Sequence, residues 1–79
     1  MVLIALNNDT HYYDTVRKNI RKYRKEKGYT RVKLAEDTNI SLDYLAEIES
    51  NRRKKSFSLA VLGRITDTLK VDIKNFFDN

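Results

Sequence analysis

Several residue types that carry chemistry are missing or rare in this chain of 79 residues. It has no cysteine and one histidine, His11, which excludes a disulfide framework, a thiol nucleophile and a zinc site that uses cysteine ligands. Proline is absent and glycine occurs only twice, so no glycine-rich loop can cradle a nucleotide phosphate. His11 has no serine or carboxylate pattern that suits a catalytic base, which favours a solvent-exposed role. The sequence therefore predicts no enzyme, no metal site and no cofactor.

Long apolar runs are also absent. The longest, Met1 to Leu6, is too short to cross a membrane and lacks the basic segment that opens a secretory signal. We therefore expect a cytoplasmic protein with no membrane partner. Hydrophobic residues make up 41% of the chain and charged residues 34%, which is typical of one small folded domain with a strongly solvated surface.

The net charge of +5 is distributed unevenly along the chain. Residues 16–33 contain nine basic residues and one acidic residue, residues 34–49 contain five acidic residues and no basic one, and residues 52–55 are all basic. Two basic blocks that flank an acidic block suggest a protein that binds a polyanion. The same pattern is also compatible with ordinary solvated helix faces.

Apolar spacing predicts that the first helix begins near Tyr12. Tyr13, Val16, Ile20 and Tyr23 recur every three or four residues, and basic residues fill the other face. Gly28 can adopt the left-handed conformation that closes such a helix. The tyrosines near these basic residues could instead stack on single-stranded bases, but their spacing favours helix packing; they are Tyr12, Tyr13, Tyr23 and Tyr29.

Capping residues divide the rest of the chain into four shorter helices. Thr30, Ser41 and Ser58 are suitable N-caps for the second, third and fourth helices, and Asn39 is suited to the turn after the second. A last short helix is expected over residues 72–77. Gly63 falls inside the fourth helix, where close approach of another helix is the usual reason for a glycine.

These elements predict an all-α domain. Two short helices joined by a turn of about three residues, with three further helices around them, form a helix-turn-helix domain. We assign residues 12–79 to this domain and residues 1–11 to a short apolar N-terminal arm. The β-prone segment Val2 to Leu6 could pair across a dimer, cover the C-terminal helix of its own chain, or fray.

The ordered motifs resemble the Cro/repressor-type helix-turn-helix family, also called the xenobiotic-response-element family. They lie within residues 16–77, about four fifths of the chain, and are Ile20 to Thr30, Leu34 to Glu36, Ile40 to Glu49 and Leu69 to Asp72. The resemblance implies a five-helix, lambda-repressor-like fold. It also implies that the third helix enters the DNA major groove.

Positions carried over from the family give candidate site residues. The base-reading positions are Leu42, Asp43, Tyr44 and Glu47. The phosphate-binding positions are Arg31 and the loop residues Arg52, Arg53, Lys54 and Lys55. The resemblance further implies a structural ion pair between Arg24 and Glu49. The loop departs from the family pattern, because Asn51 replaces its customary glycine and its proline is missing.

The acidic third helix leaves alternatives open. Asp43 either stabilises the third helix, by placing its negative charge at the positive end of the helix dipole, or accepts a hydrogen bond from a cytosine amino group. Glu47 is either a solvated residue, which is favoured, or a base reader. Leu42 and Tyr44 either contact DNA or serve as exposed or packing residues.

We conclude from the sequence that the chain is a sequence-specific, double-stranded DNA-binding regulator, which acts as a repressor on a two-fold operator. The expected partners are duplex DNA and a second copy of the chain, and the candidate dimerisation residues are Ile73, Phe76 and Phe77. The alternative is a protein-interaction module or antitoxin on the same fold, which the acidic third helix favours.

Overall fold

A computed structural model describes the backbone of residues 2–78 and the side chains of residues 11–78. In this part of the chain the fold is all-helical, as predicted. It consists of α1 (Val2–Glu26), α2 (Arg31–Thr38), α3 (Leu42–Glu49), α4 (Leu59–Leu69) and a C-terminal 3₁₀ helix (Ile73–Phe77). The described residues therefore form four α-helices rather than five, since the last predicted helix is a 3₁₀ helix.

The predicted N-caps are confirmed at three helices. The side-chain oxygens of Thr30, Ser41 and Ser58 each accept a hydrogen bond from the backbone N–H three residues ahead, at 3.0, 3.0 and 3.1 Å. Each such cap typically stabilises a helix by about 1 kcal/mol. The starts of α2, α3 and α4 are therefore set by single residues that can be identified in the sequence.

The turn between α2 and α3 has the conformation that its sequence predicts. Asn39 adopts φ 58° and ψ 44°, which is the left-handed region that asparagine tolerates better than most residues. The next backbone N–H, of Ile40, donates to the carbonyl of Ala35 at 3.0 Å and closes the end of α2. Gly28 similarly takes φ 77° just after α1.

The start of α1 differs from the prediction by ten residues. The helix begins at Val2 rather than Tyr12, so residues 2–11 continue α1 and do not form a separate β-prone arm. The physical reason is that no proline or glycine interrupts the chain before Gly28, and Leu and Ala favour the helix among the first residues. Side-chain contacts of residues 1–10, including the predicted ones to a partner or the C-terminal helix, lie outside the described part.

One core joins all the helices. α2 packs against α3 and α4, while α1 packs against α3, α4 and the C-terminal 3₁₀ helix. Tyr13, Tyr23 and Tyr29 lie against this core, as their spacing predicts, whereas Tyr12 is 59% exposed. The fully or largely buried apolar residues are Val16, Ile20, Leu34, Ala35, Ile40, Leu45, Ile48, Phe57, Leu62, Ile65, Leu69 and Phe76. No described helix is long and apolar enough to span a membrane.

Phe76 was wrongly predicted to be a dimerisation residue. Its side chain is fully buried in the core, with its ring centroid 5.0 Å from that of Tyr23. Asn19 fixes the backbone at this point, because its Nδ2 donates to the carbonyls of Phe76 and Asp78 at 2.8 and 2.7 Å. Adjacent residues in a short helix point in different directions, so burying Phe76 leaves Phe77 at the surface.

Gly63 has no close neighbour of the kind that was expected. A Cβ atom built on it meets no heavy atom within 4 Å beyond its own chain neighbours and helix backbone. The close approach of another helix therefore does not explain this glycine, and nothing in the structure does.

Candidate nucleic-acid interface

The predicted base-reading residues share the outer surface of α3. Leu45 and Ile48 face the core, which leaves Leu42 and Asp43 exposed and Tyr44 and Glu47 half-buried. Asp43 and Glu47 line one shallow surface groove together with Ala46, Ser50 and Arg53. Tyr44 also packs against the edge of the core, so its ring has a structural role at the same time.

Arginines from α1 hold the C-terminal end of α3. Arg17, only 1% exposed, donates from Nη1 to the carbonyls of Ile48 at 2.9 Å and Lys55 at 3.0 Å. Arg21 donates to the carbonyl of Glu49. Carbonyls at a helix C-terminus lack partners within the helix and carry partial negative charge, so cations are favourable there. These contacts fix the position of α3 relative to α1.

A buried carboxylate completes this connection. Glu49 Oε2 lies 2.8 Å from Arg24 Nε, and Glu49 Oε1 lies 3.1 Å from Arg24 Nη2, so the expected ion pair is present and bidentate. The Nε of Arg31 also donates to Glu49 Oε1, at 3.2 Å. Glu49 therefore links α1, α2 and the end of α3. The side chain of Arg31 is 44% exposed, which leaves part of it facing solvent.

The sequence-based charge count overstated the basic surface, because two of its arginines are structural. Arg17 and Arg24 are both buried, and both donate hydrogen bonds to residues at the C-terminal end of α3. Arg17 was missed as a structural residue, although a signal existed: it lies four residues after Tyr13 and three before Ile20, on the apolar stripe of α1. A basic residue on such a stripe indicates a buried partner.

The loop between α3 and α4 carries the candidate phosphate-binding cations. The Oγ of Ser50 accepts from the backbone N–H groups of Arg52 and Arg53 at 3.2 and 3.3 Å, which shapes the start of the loop. The backbone of Lys54 has φ 53°, which is uncommon for a residue other than glycine. All four basic residues from Arg52 to Lys55 are exposed.

Three of these loop cations face carboxylates in the free protein. Arg53 Nη1 and Lys55 Nζ lie 3.3 and 3.8 Å from the two carboxylate oxygens of Glu47. Lys54 Nζ lies 2.9 Å from Asp14 Oδ2. The prediction that favoured Glu47 as a merely solvated residue was therefore incomplete, because this carboxylate holds two cations beside α3.

Asp14 connects α1 to this loop. The hydrogen bond from Lys54 and the one from Arg17 lower the pKa of the Asp14 carboxyl, although burial acts in the opposite direction. Arg17 Nε lies 3.1 Å from Asp14 Oδ1. The sequence did not reveal this connection, because one of the two partners, Lys54, lies 40 residues later in the loop.

Comparisons with known proteins agree with this geometry. The sequence model of the helix-turn-helix family matches residues 20–76. The chain is 36% identical over 59 residues to the HTH-type transcriptional regulator SinR of Bacillus subtilis (strain 168), covering 75% of this chain and 52% of that protein. It is 48% identical over 44 residues to the immunity repressor protein of Bacillus phage phi105, covering 56% of this chain and 31% of that protein.

A solved structure has the same fold. The crystal structure of SinR, the master regulator for biofilm formation, in complex with DNA superposes with a TM-score of 0.72 at 33% identity, covering 80% of this chain and 98% of that chain. The chain spans about half or less of the length of the curated relatives that it matches.

Proposed function

Because the chain belongs to the Cro/repressor-type helix-turn-helix family of DNA-binding transcription regulators, we propose that it binds a specific duplex DNA sequence and represses transcription. The observation that carries the proposal is the anchoring of α3. Its C-terminal end is fixed by Arg17, Arg21 and Arg24, while its outer face stays accessible beside a basic loop. A helix held rigidly by the domain can be presented to a major groove without losing conformational freedom on binding.

Base recognition is assigned to the outer face of α3. In this proposal the carboxylate of Asp43 accepts a hydrogen bond from a cytosine amino group, and Leu42 contacts a thymine methyl. Tyr44 and Glu47 lie on the same surface and complete the reading face. Asp43 stands in the first turn of α3, where the helix dipole favours its negative charge.

Phosphate contacts are assigned to Arg31 and to the loop from Arg52 to Lys55. The partly exposed side chain of Arg31 at the start of α2 and the exposed loop cations support this assignment. The acidic residues near them are partly neutralised by ion pairs, since Glu47 holds two cations and Glu49 is buried between arginines. The negative charges of Glu47 and Glu49 therefore do not face a DNA backbone unpaired.

A two-fold dimer would give the domain useful affinity. One helix-turn-helix makes a short groove contact, and two of them bind half-sites about 34 Å apart on a pseudo-palindromic operator. Ile73 and Phe77 are 36% and 47% exposed, which keeps both available to a second copy.

Fluorescence anisotropy tests the proposal directly. Sequences selected from a random duplex library should bind at least roughly a thousandfold more tightly than random duplex at the same salt concentration. Asp43→Ala should change the preferred base at one position of each half-site, whereas Arg53→Ala should weaken specific and random duplex alike. Failure to bind any duplex at low salt would refute the proposal.

The exposed carboxylate of Asp43 on α3 also suits a second candidate function, a protein-interaction module or antitoxin in which this helix contacts a partner protein. The same titration separates the two. A module of that kind would show no enrichment of one sequence after selection, and Asp43→Ala would leave its base preference unaffected.

A further inference from the structure

An apolar groove lies apart from the proposed DNA-binding face. It is an open groove of about 340 Å³ where the middle of α1, the start of α4 and the C-terminal 3₁₀ helix meet. Three of its side chains are well exposed: Tyr12 at 59%, Leu59 at 70% and Phe77 at 47%. No residue of this groove belongs to the groove that Asp43 and Glu47 line on α3.

The chemistry of the groove suits an apolar occupant. Among the described side chains of residues 11–78, those that line the groove include no charged one, and Ser58 supplies their only aliphatic hydroxyl. The Tyr13 hydroxyl is already used, because it donates to the carbonyl of Phe57 at 3.1 Å. Clustered exposed apolar side chains of this kind mark interaction sites. A nucleic acid backbone would find no cation here.

The chain itself contains a segment of matching chemistry. Residues 1–6 are all apolar and form the longest such run in the sequence. Residues 2–6 belong to the same continuous helix as Tyr12, namely α1. At 1.5 Å per residue, the centre of this run lies about 15 Å along the helix from the groove. A straight helix cannot fold back on itself, so the run cannot cover the groove of its own copy.

We propose that a second copy of this chain covers the groove, through an antiparallel pairing of the two α1 helices in which residues 2–6 of each copy lie on the groove of the other. A two-fold interface requires each contact to occur twice. When residue 6 of one copy faces residue 12 of the other, residue 2 faces residue 16 and residue 9 faces its own counterpart. The two-fold axis therefore passes near Asp9.

Helical spacing agrees with this register. Positions 2, 6, 9, 12 and 16 are three or four residues apart, which is the spacing of a seam between two packed helices. Val2, Leu6 and Tyr12 are apolar in the sequence, and Val16 is a buried residue that lines the groove together with Tyr12. Asp9 is the exception at the axis, where two like charges would meet and limit the affinity of the dimer.

This pairing supplies the dimer contact for the two-fold DNA binding proposed above. Only the purpose of the dimer rests on that proposal, because the contact itself does not require DNA. Its test uses the full chain without DNA. Sedimentation equilibrium should show a dimer for the wild type, and Leu59→Asp should raise the dimer dissociation constant roughly tenfold or more, because a carboxylate would be buried without a partner. Val32→Asp is the matched control, since Val32 is an apolar residue on α2 that is 51% exposed and does not line the groove.

Cross-linking tests the register. The chain has no cysteine of its own, so Asp9→Cys introduces a single thiol at the expected axis. On mild oxidation this variant should form a covalent dimer in high yield. Lys25→Cys, exposed in the last turn of the same helix, should not cross-link at the same protein concentration, because its two copies would lie far beyond disulfide reach.

Defined outcomes overturn the proposal. The proposal fails if the wild type is monomeric at high micromolar concentration, or if Leu59→Asp leaves the dimer intact. It also fails if the two cysteine variants cross-link equally. Circular dichroism must show that Leu59→Asp stays folded, and the side chain is exposed enough to permit that. Binding of the monomeric variant to random duplex at low salt tests the proposed function separately, so the two failures can be told apart.

Discussion

Glu49 shows how one buried residue can fix the position of a helix, here α3. Its side chain is 1% exposed and charged, and its two oxygens receive hydrogen bonds from Arg24 and Arg31. A buried charge is tolerated only when such partners compensate for the lost hydration. The arrangement makes the position of α3 depend on α1 and α2 together, and therefore on the whole domain.

Glu49→Ala should lower the free energy of unfolding by about 3–5 kcal/mol, because it leaves the Arg24 guanidinium buried without its partner. Glu47→Ala is the matched control on the same helix. Its side chain is 33% exposed and its cations are at the surface, so the loss should stay within about 1 kcal/mol. Urea unfolding at neutral pH measures both. Equal, small losses would contradict the structural role of Glu49.

Asp14 should make stability depend on pH in the acidic range. Lys54 and Arg17 lower the pKa of its carboxyl below the ordinary value of 3.8. The unfolded chain therefore binds the proton more readily than the folded one, so the contribution of Asp14 is fully present above its unfolded pKa. It is lost as the pH falls through the lower, folded value.

Urea unfolding of the wild type and of Asp14→Asn, repeated from neutral pH down to about pH 2.5, measures this contribution. The difference between the two proteins should be largest at neutral pH and should shrink below about pH 4. Lys54→Met should reduce the difference, because it removes the strongest partner of the carboxylate. A difference that stays constant with pH would show that Asp14 is not held by these cations.

Side chains that contact distant parts of the chain were the hardest to predict. The Arg24–Glu49 pair was expected only because the sequence resembles a family that has it. Arg17 was counted among the free basic residues, although it reaches two carbonyls that lie 31 and 38 residues later. A charged residue in a sequence shows its charge but not its partner, and the partner decides whether that charge reaches the surface.

At the scale of whole elements, local chemistry determined what could be predicted. The starts of α2, α3 and α4 followed from single capping residues, because each cap oxygen and the backbone N–H that donates to it lie only three residues apart. The start of α1 was misplaced, because no capping residue or helix breaker marks it. Its apolar first residues were interpreted from β propensity, which depends strongly on context.

Gly63→Ala should stabilise the protein. Glycine inside a helix costs about 0.5–1 kcal/mol relative to alanine, and the added Cβ meets nothing within 4 Å. In a domain of this size each kcal/mol corresponds to about 4–8 °C in Tm, so a rise of several degrees is expected in a thermal melt. Gly28→Ala should act in the opposite direction, because Gly28 has φ 77°. A lower Tm for Gly63→Ala would reveal a contact that the fold does not show.

At the scale of the molecule, the two basic blocks of the sequence have different roles. The first contributes its buried arginines to the anchoring of α3, whereas the second lies exposed in the loop beside α3. The sequence predicted a polyanion-binding surface from both blocks but could not divide the charges between these roles. Only the exposed cations can neutralise phosphates and release counterions.

The salt dependence of DNA binding should show how many of these exposed cations contact phosphates. Each phosphate contact contributes about 0.9 to the slope of log K against log salt on duplex DNA. The double substitution Arg53→Ala and Lys54→Ala should therefore lower the magnitude of that slope by about 1.8 for one bound domain, and by twice as much for a dimer. Anisotropy titrations at four or more salt concentrations, on random duplex and on a selected site, provide the measurement.

Two controls separate a local contact from a change in net charge. Lys74→Ala removes an exposed charge from the C-terminal 3₁₀ helix, outside the proposed DNA-binding face, and should leave the slope unaltered. Glu47→Gln removes the carboxylate that holds Arg53 and Lys55, so it should tighten binding to random duplex by freeing both cations for phosphates. If the double substitution changes the slope no more than Lys74→Ala does, the loop does not contact the DNA backbone, and the phosphate contacts must come from Arg31 and α1.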